Sequence, residues 1–149
     1  MVHIYESKHM TTHSIVNWFK LSMPVPTEKN RNVQVGCHIE EVAEMFDAMG
    51  EKSVADKLDF IGGQYKTTTD DMPPVNREAL LDSLCDQIVT AIGVAHMFGM
   101  NIEGALSEVN RSNYSKFVNL VPVFDANGKI AKPPTYSKPN LAAFVGAGE

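Results

Sequence analysis

Between Asn76 and Phe98 the chain runs without a proline, and its apolar side chains cover more than half of a helical circumference. Leu80, Leu81, Leu84, Cys85, Ile88, Ala91, Ile92, Ala95 and Phe98 fall on that arc. A helix apolar over so wide an arc predicts a central position with neighbours on several sides. Asn76 supplies an N-cap and Gly99 a stop.

The remaining patterns provide helical neighbours. Residues 1–12 are polar and read as loosely held, after which Ser14 caps a helix to about Leu21 with Ile15, Trp18, Phe19 and Leu21 as its apolar positions. Met23-Pro24-Val25-Pro26 breaks it, since each proline disfavours helix in the residue before it. Thr27 caps the next helix, with Glu28 in its first turn and Val35, Ile39, Val42, Phe46 and Met49 on the buried stripe before Gly50. A shorter helix from about Ser53 to Phe60 closes at Gly62-Gly63, and Gln64 to Pro74 reads as an exposed loop. Asn101 caps one more helix to about Val109. Val121 to Phe124, Asp125-Ala126-Asn127-Gly128 and Lys129-Ile130 then read as a small β-hairpin, because Asn-Gly favours positive φ. The expected fold is all-α, a four-to-five-helix bundle with a small C-terminal β-hairpin. Its extended, proline-rich tail wraps the surface or a partner subunit. A length of 149 residues suits a single domain over 1–149.

Carboxylates on two of these helices carry the chemistry. Glu41 and Glu44 lie three apart and Asp82 and Asp86 four apart, so each pair shares a helix face. Glu40 sits about 100° round from Glu41 and is a candidate ligand or base, and Glu78 extends the second stripe by a turn. Crowded carboxylates raise one another's pKa and repel, and hard divalent cations are the usual counter-charge for all-oxygen ligands. If the two helices face each other, Glu41, Glu44, Asp82 and Asp86 form a Mg²⁺ or Mn²⁺ site. Solvated acidic faces are common, and Glu40, Asp47 and Glu78 alone would deserve that reading. Asp82 and Asp86 fit it less well, as poor helix formers within a strongly apolar helix.

Other chemistries find less support. A di-iron carboxylate bundle wants Glu-x-x-His pairs, whereas His38 precedes Glu41 in the reverse order and His96 lies well beyond Asp86. Neither cysteine has an obvious base beside it, and there is no Gly-x-Ser-x-Gly elbow or phosphate-binding glycine loop. A net charge of −5 argues against a nucleic-acid polymer as partner, but not against a nucleotide whose charge metal ions offset. Cys37 and Cys85 read as small buried thiols, which suits a reducing cytoplasm. The first residues show no basic stretch followed by an apolar run, and no segment is long and apolar enough to span a bilayer, so a cytoplasmic location without membrane contact is expected.

At these residues the chain resembles the all-α NTP pyrophosphohydrolases, the MazG-like and phosphoribosyl-ATP pyrophosphohydrolase-like superfamily, in its small phage or bacterial form. Phe19 to Pro26 resembles the aromatic segment and proline turn, and His38-Ile39-Glu40-Glu41-Val42-Ala43-Glu44 the Glu-Glu-x-x-Glu motif. Leu81 to Ile88 with Ala91 to Ala95 resembles the Asp-x-x-x-Asp helix. Glu108 to Lys116 resembles the Glu-Val-x-x-Ser-Asn-x-Ser-Lys segment, and Lys132-Pro133-Pro134-Thr135-Tyr136 the Lys-Pro-Pro-x-Tyr ending. Where the broader superfamily has Glu-x-x-Asp, position 83 is Ser and Asp82 stands one residue earlier, which leaves the number of ions open.

The resemblance implies hydrolysis of a nucleoside triphosphate between its α and β phosphates, with two or three Mg²⁺ or Mn²⁺ ions held by the four carboxylates. Glu40 or Glu41 would orient or deprotonate the attacking water. Lys116, Lys132 and Arg111, as the basic residues of the matched segments, would hold the outer phosphates. Asn17, Trp18 and Asn113 are candidates for the base and sugar, since an indole stacks and an amide reads an edge; Trp18 also suits the core. The resemblance further implies nucleotide-pool control with dGTP or GTP as the leading substrate, dUTP or dCTP as the alternative, and assembly as a homodimer or homotetramer. A rival of another class is a non-catalytic helical binding module whose acidic face meets a basic partner.

Overall fold

The computed structural model describes residues 3–126 and 130–147. Five helices follow in chain order: α1 (His3–Ser22), α2 (Glu28–Ala48), α3 (Lys52–Thr67), α4 (Arg77–Met97) and α5 (Ile102–Tyr114). Two short antiparallel strands, β1 (Phe117–Val118) and β2 (Val121–Pro122), and one 3₁₀ turn over Ala142–Phe144 complete the chain. It is thus all-α with a small C-terminal hairpin, the class expected. Among the described residues no single helix is long and apolar enough to cross a membrane.

The chain divides into two compact units, one continuous (Val25–Arg77) and one formed by Met1–Pro24 with Glu78–Glu149. The continuous unit is the pair α2 and α3. Thr27 caps α2 reciprocally with Asn30: the Asn30 N–H donates to Thr27 Oγ1 at 3.2 Å and the Thr27 N–H to Asn30 Oδ1 at 2.8 Å. Gly50, at φ 83°, turns the chain, and α3 returns along α2 through a glycine contact. A Cβ on Gly36 would stand 2.6 Å from the Gly62 carbonyl oxygen, and one on Gly62 2.9 Å from that of Gly36. This corrects the expected end of α3 at Gly62-Gly63: the helix continues to Thr67, because Gly62 admits the backbone of α2 rather than ending a helix. Beyond α3, the Asn32 side chain donates to the Asp70 carbonyl and Glu28 accepts from the Met72 N–H, fastening the loop to α2.

In the discontinuous unit α1 and α5 pack side by side. Thr11 meets Ser107, Asn110 Nδ2 donates to Ser14 Oγ at 2.9 Å, Tyr114 donates to the Ser14 carbonyl at 2.8 Å, and Trp18 Nε1 donates to the Asn113 carbonyl at 3.0 Å. These pairs advance along both helices together, so α1 and α5 run parallel. They also explain two departures from expectation. α1 starts at His3 rather than at Ser14, whose hydroxyl serves α5 instead of capping, and α5 extends past Val109 to Tyr114. Phe117 is the buried aromatic of this unit. Trp18 stacks on it with centroids 5.6 Å apart and planes 8° from parallel, while Tyr114 meets it edge-on.

The hairpin forms earlier than expected. Val118 pairs with Val121 across Asn119 and Leu120, which stand at φ 51° and 62°, the positive pair that a two-residue hairpin turn requires. The expected pairing survives only as an isolated bridge between Phe124 and Ile130; its Asn127-Gly128 turn and Lys129 lie outside the described residues. The tail then wraps its own unit. Ser115 Oγ accepts from the Ser137 N–H, Glu108 accepts from the Asn140 N–H, and the Asn101 N–H donates to the Phe144 carbonyl.

α4 departs furthest from expectation. Instead of lying central and covered, it exposes nearly its whole length, and Ala95 is its one buried residue. Ile88 is 62% exposed, Val89 65% and Met97 83%. Cys85 on this helix is exposed rather than buried, and Cys37 is half-buried; both are free thiols.

Candidate functional site

The continuous unit carries the first carboxylates. α2 runs unbroken through Glu40, Glu41 and Glu44, and its helical spacing places Glu44 between the other two around the helix axis. Their surroundings differ. Glu41 and Glu44 are exposed, whereas Glu40 is half-buried against α3. Lys66, in the last turn of α3, donates to both Glu40 oxygens at 2.9 and 2.8 Å. That hydrogen bonding holds the Lys66 ammonium pKa above its ordinary value. Glu40 is therefore an ion-paired carboxylate, which the sequence alone did not reveal; the signal lay in Gly36 and Gly62, each four residues before one member of the pair.

The discontinuous unit carries the other candidates. Asp82 and Asp86 are exposed on the first half of α4. Asn113 and Lys116 stand at the end of α5, with Lys116 Nζ donating to Asn113 Oδ1 at 2.9 Å. The tail brings a second lysine to the same place: Lys132 Nζ lies 5.2 Å from the centroid of the Tyr136 ring and Lys116 Nζ 6.0 Å from it. A ring face attracts ammonium groups through its quadrupole, so Tyr136 gathers two lysines that would otherwise repel. Trp18 reaches this group through its bond to the Asn113 carbonyl, but one face of its indole is occupied by Phe117. Asn17 is its half-buried neighbour on α1.

Arg111 is engaged elsewhere. Its guanidinium donates to both Glu108 oxygens at 2.8 Å and to the Lys138 carbonyl at 3.3 Å. Glu108 also accepts from the Asn140 N–H. The Arg111 hydrogen bonds, and then that backbone bond, lower the Glu108 pKa to about 2. Arg111 and Glu108 together fasten the tail to α5.

The donor set suits a hard cation by its chemistry: oxygen-only, exposed, and in pairs one helical turn apart on α2 and on α4. Among the described residues no group of three or more His, Cys, Asp or Glu side chains comes together in a way that would hold a metal ion. Comparison of the chain with protein-family models, curated proteins and solved structures returned no match.

Proposed function

We propose that this chain is a metal-dependent nucleoside triphosphate pyrophosphohydrolase of MazG-like type, cleaving between the α and β phosphates. The observation that supports it best is the meeting of Lys116 and Lys132 at the Tyr136 ring, with Asn113 accepting from Lys116, residues drawn from the end of α5 and the distant tail. Two ammonium groups beside an amide form a receptor for a polyphosphate next to a group able to read a base or sugar. Glu41 and Glu44 on α2, with Asp82 and Asp86 on α4, would hold Mg²⁺ or Mn²⁺. When bound, such an ion offsets phosphate charge and renders phosphorus more electrophilic. Glu41 orients the attacking water and accepts its proton; Lys116 and Lys132 hold the outer phosphates that leave as pyrophosphate. Arg111 supports this group indirectly by fixing the tail that carries Lys132. Asn17 and Trp18 would meet the base or sugar.

The leading substrate is dGTP or GTP, with dUTP or dCTP as the alternative, in the cytoplasm of the cell that expresses the chain. The exposed apolar length of α4 favours assembly with further copies, as a homodimer or homotetramer. The same exposure favours a second reading, a non-catalytic helical binding module, which predicts no metal-dependent turnover. A panel of ribo- and deoxynucleoside triphosphates with Mg²⁺ or Mn²⁺, followed by pyrophosphate release, separates the two. Pyrophosphate with a monophosphate, lost in Glu41→Gln while helical content is kept, supports the proposal. Orthophosphate release, or turnover that survives Glu41→Gln, counts against it.

A further inference from the structure

We propose that Phe144 is a positioning residue for the Lys116–Lys132 receptor: its ring, seated on Gly104, holds the tail taut along α5 and so keeps Lys132 and Tyr136 beside Lys116. The inference rests on the reading of those lysines as phosphate ligands and adds what holds the second one in place. The tail runs antiparallel to α5 and is pinned along its length. The Ser137 N–H donates to Ser115 Oγ at 2.8 Å and Arg111 to the Lys138 carbonyl at 3.3 Å. Further on, the Asn140 N–H donates to Glu108 at 2.9 Å and the Asn101 N–H to the Phe144 carbonyl at 2.8 Å.

The three bonds nearer Tyr136 are exposed, and a hydrogen bond open to water adds little net stability. At its far end the tail has an apolar anchor as well. A Cβ on Gly104 would stand 2.5 Å from Phe144 Cε1 and 2.7 Å from its Cδ1, so the ring lies directly on the helix backbone. Phe144 is half-buried there, whereas its neighbours from Leu141 to Gly146 are exposed. Length then ties the two ends together. From Asn101 to Ser115 the helix advances about 21 Å. Ser137 to Phe144, extended as far as the 3₁₀ turn over Ala142–Phe144, reaches at most about 22 Å. The tail therefore has almost no slack, and loosening Phe144 frees the end that carries Tyr136. Lys116 and Lys132 repel each other, and only the Tyr136 ring and the tail's tension hold the second lysine against that repulsion.

The test is calorimetric titration of inorganic pyrophosphate into the full chain, in buffer with a chelator so that no metal ion contributes. Wild type is compared with Gly104→Ala, which fills the seat of the ring, and with Phe144→Ala, which removes the ring. Alanine favours helix over glycine, so Gly104→Ala displaces Phe144 without weakening α5 itself. Both variants are expected to keep their helical content and to bind pyrophosphate at least threefold more weakly. The Ser137 amide, at the other end of the tail, is expected to lose protection from hydrogen exchange in both. Should Gly104→Ala fail to fold, Phe144→Ala decides alone. Binding within threefold of wild type in a folded variant, or weaker binding with Ser137 protection intact, would overturn the proposal while the reading of the lysines stands. A wild-type chain that binds no pyrophosphate overturns both.

Discussion

Leu120 sits at φ 62° and 74% exposed, in a turn that asks for a residue without a Cβ. Left-handed backbone costs a non-glycine residue about 1–2 kcal/mol, and little burial offsets it here. Leu120→Gly should stabilise the chain by about 1 kcal/mol, measured as a higher urea midpoint at unchanged slope; a lower midpoint would show that the leucine side chain matters more than its backbone. At Glu108 the sign of the pH effect is fixed by the direction of its shift. Its folded pKa of about 2 lies below the ordinary carboxylate value, so its contribution is complete above that ordinary value and fades as pH falls through about 2. The Asn140 amide should therefore lose protection from hydrogen exchange over that acidic range, and Glu108→Gln should remove the pH dependence. Protection that persists unchanged at pH 2 in the wild type would contradict the Arg111–Glu108 tail anchor.

Glycines decide the behaviour of the α2–α3 element. Gly62 and Gly63 are adjacent, yet a Cβ on Gly62 would meet the Gly36 backbone at 2.9 Å while one on Gly63 meets nothing within 4 Å. Overpacking costs about 1–3 kcal/mol, and replacing a helical glycine with alanine gains about 1 kcal/mol. Gly62→Ala should then lower stability by up to about 2 kcal/mol and Gly63→Ala raise it by about 1 kcal/mol, seen as opposite shifts of the thermal midpoint. Shifts of the same sign would mean that the helices do not touch there. This contrast also shows where the sequence was legible. The Thr27 cap, the course of α2 and the span of α4 follow from local signals and were readable as such. The end of α3 was not, because a glycine that admits a neighbouring helix looks the same in sequence as one that ends its own. The hairpin was misplaced for a related reason. Asn127-Gly128 has the better turn chemistry, while Asn119-Leu120 owes its turn to Phe117, buried against Trp18. At the candidate site, the carboxylate spacing and the lysines of the tail were readable. The capture of Glu40 by Lys66 was not, since it depends on which neighbour arrives, whereas Glu108 and Arg111, three apart on α5, carried a local signal that the reading of Arg111 as a phosphate ligand passed over.

At the scale of the molecule, α4 is the element that a single copy leaves least satisfied. Its arc of leucine, isoleucine, valine and methionine side chains gives an acidic, charged chain a large apolar surface, and such surfaces mark association. Sedimentation of the wild type should show an oligomer, and Ile88→Lys with Val89→Lys should shift it toward the monomer; a wild type that sediments as a monomer at micromolar concentration would remove that part of the proposal. The chemistry itself is tested by phosphorus NMR of dGTP incubated with the chain and Mg²⁺. Equal amounts of dGMP and pyrophosphate should appear, and chelating the metal should stop their formation. Production of dGDP with orthophosphate, or consumption that continues after chelation, would contradict the proposed reaction.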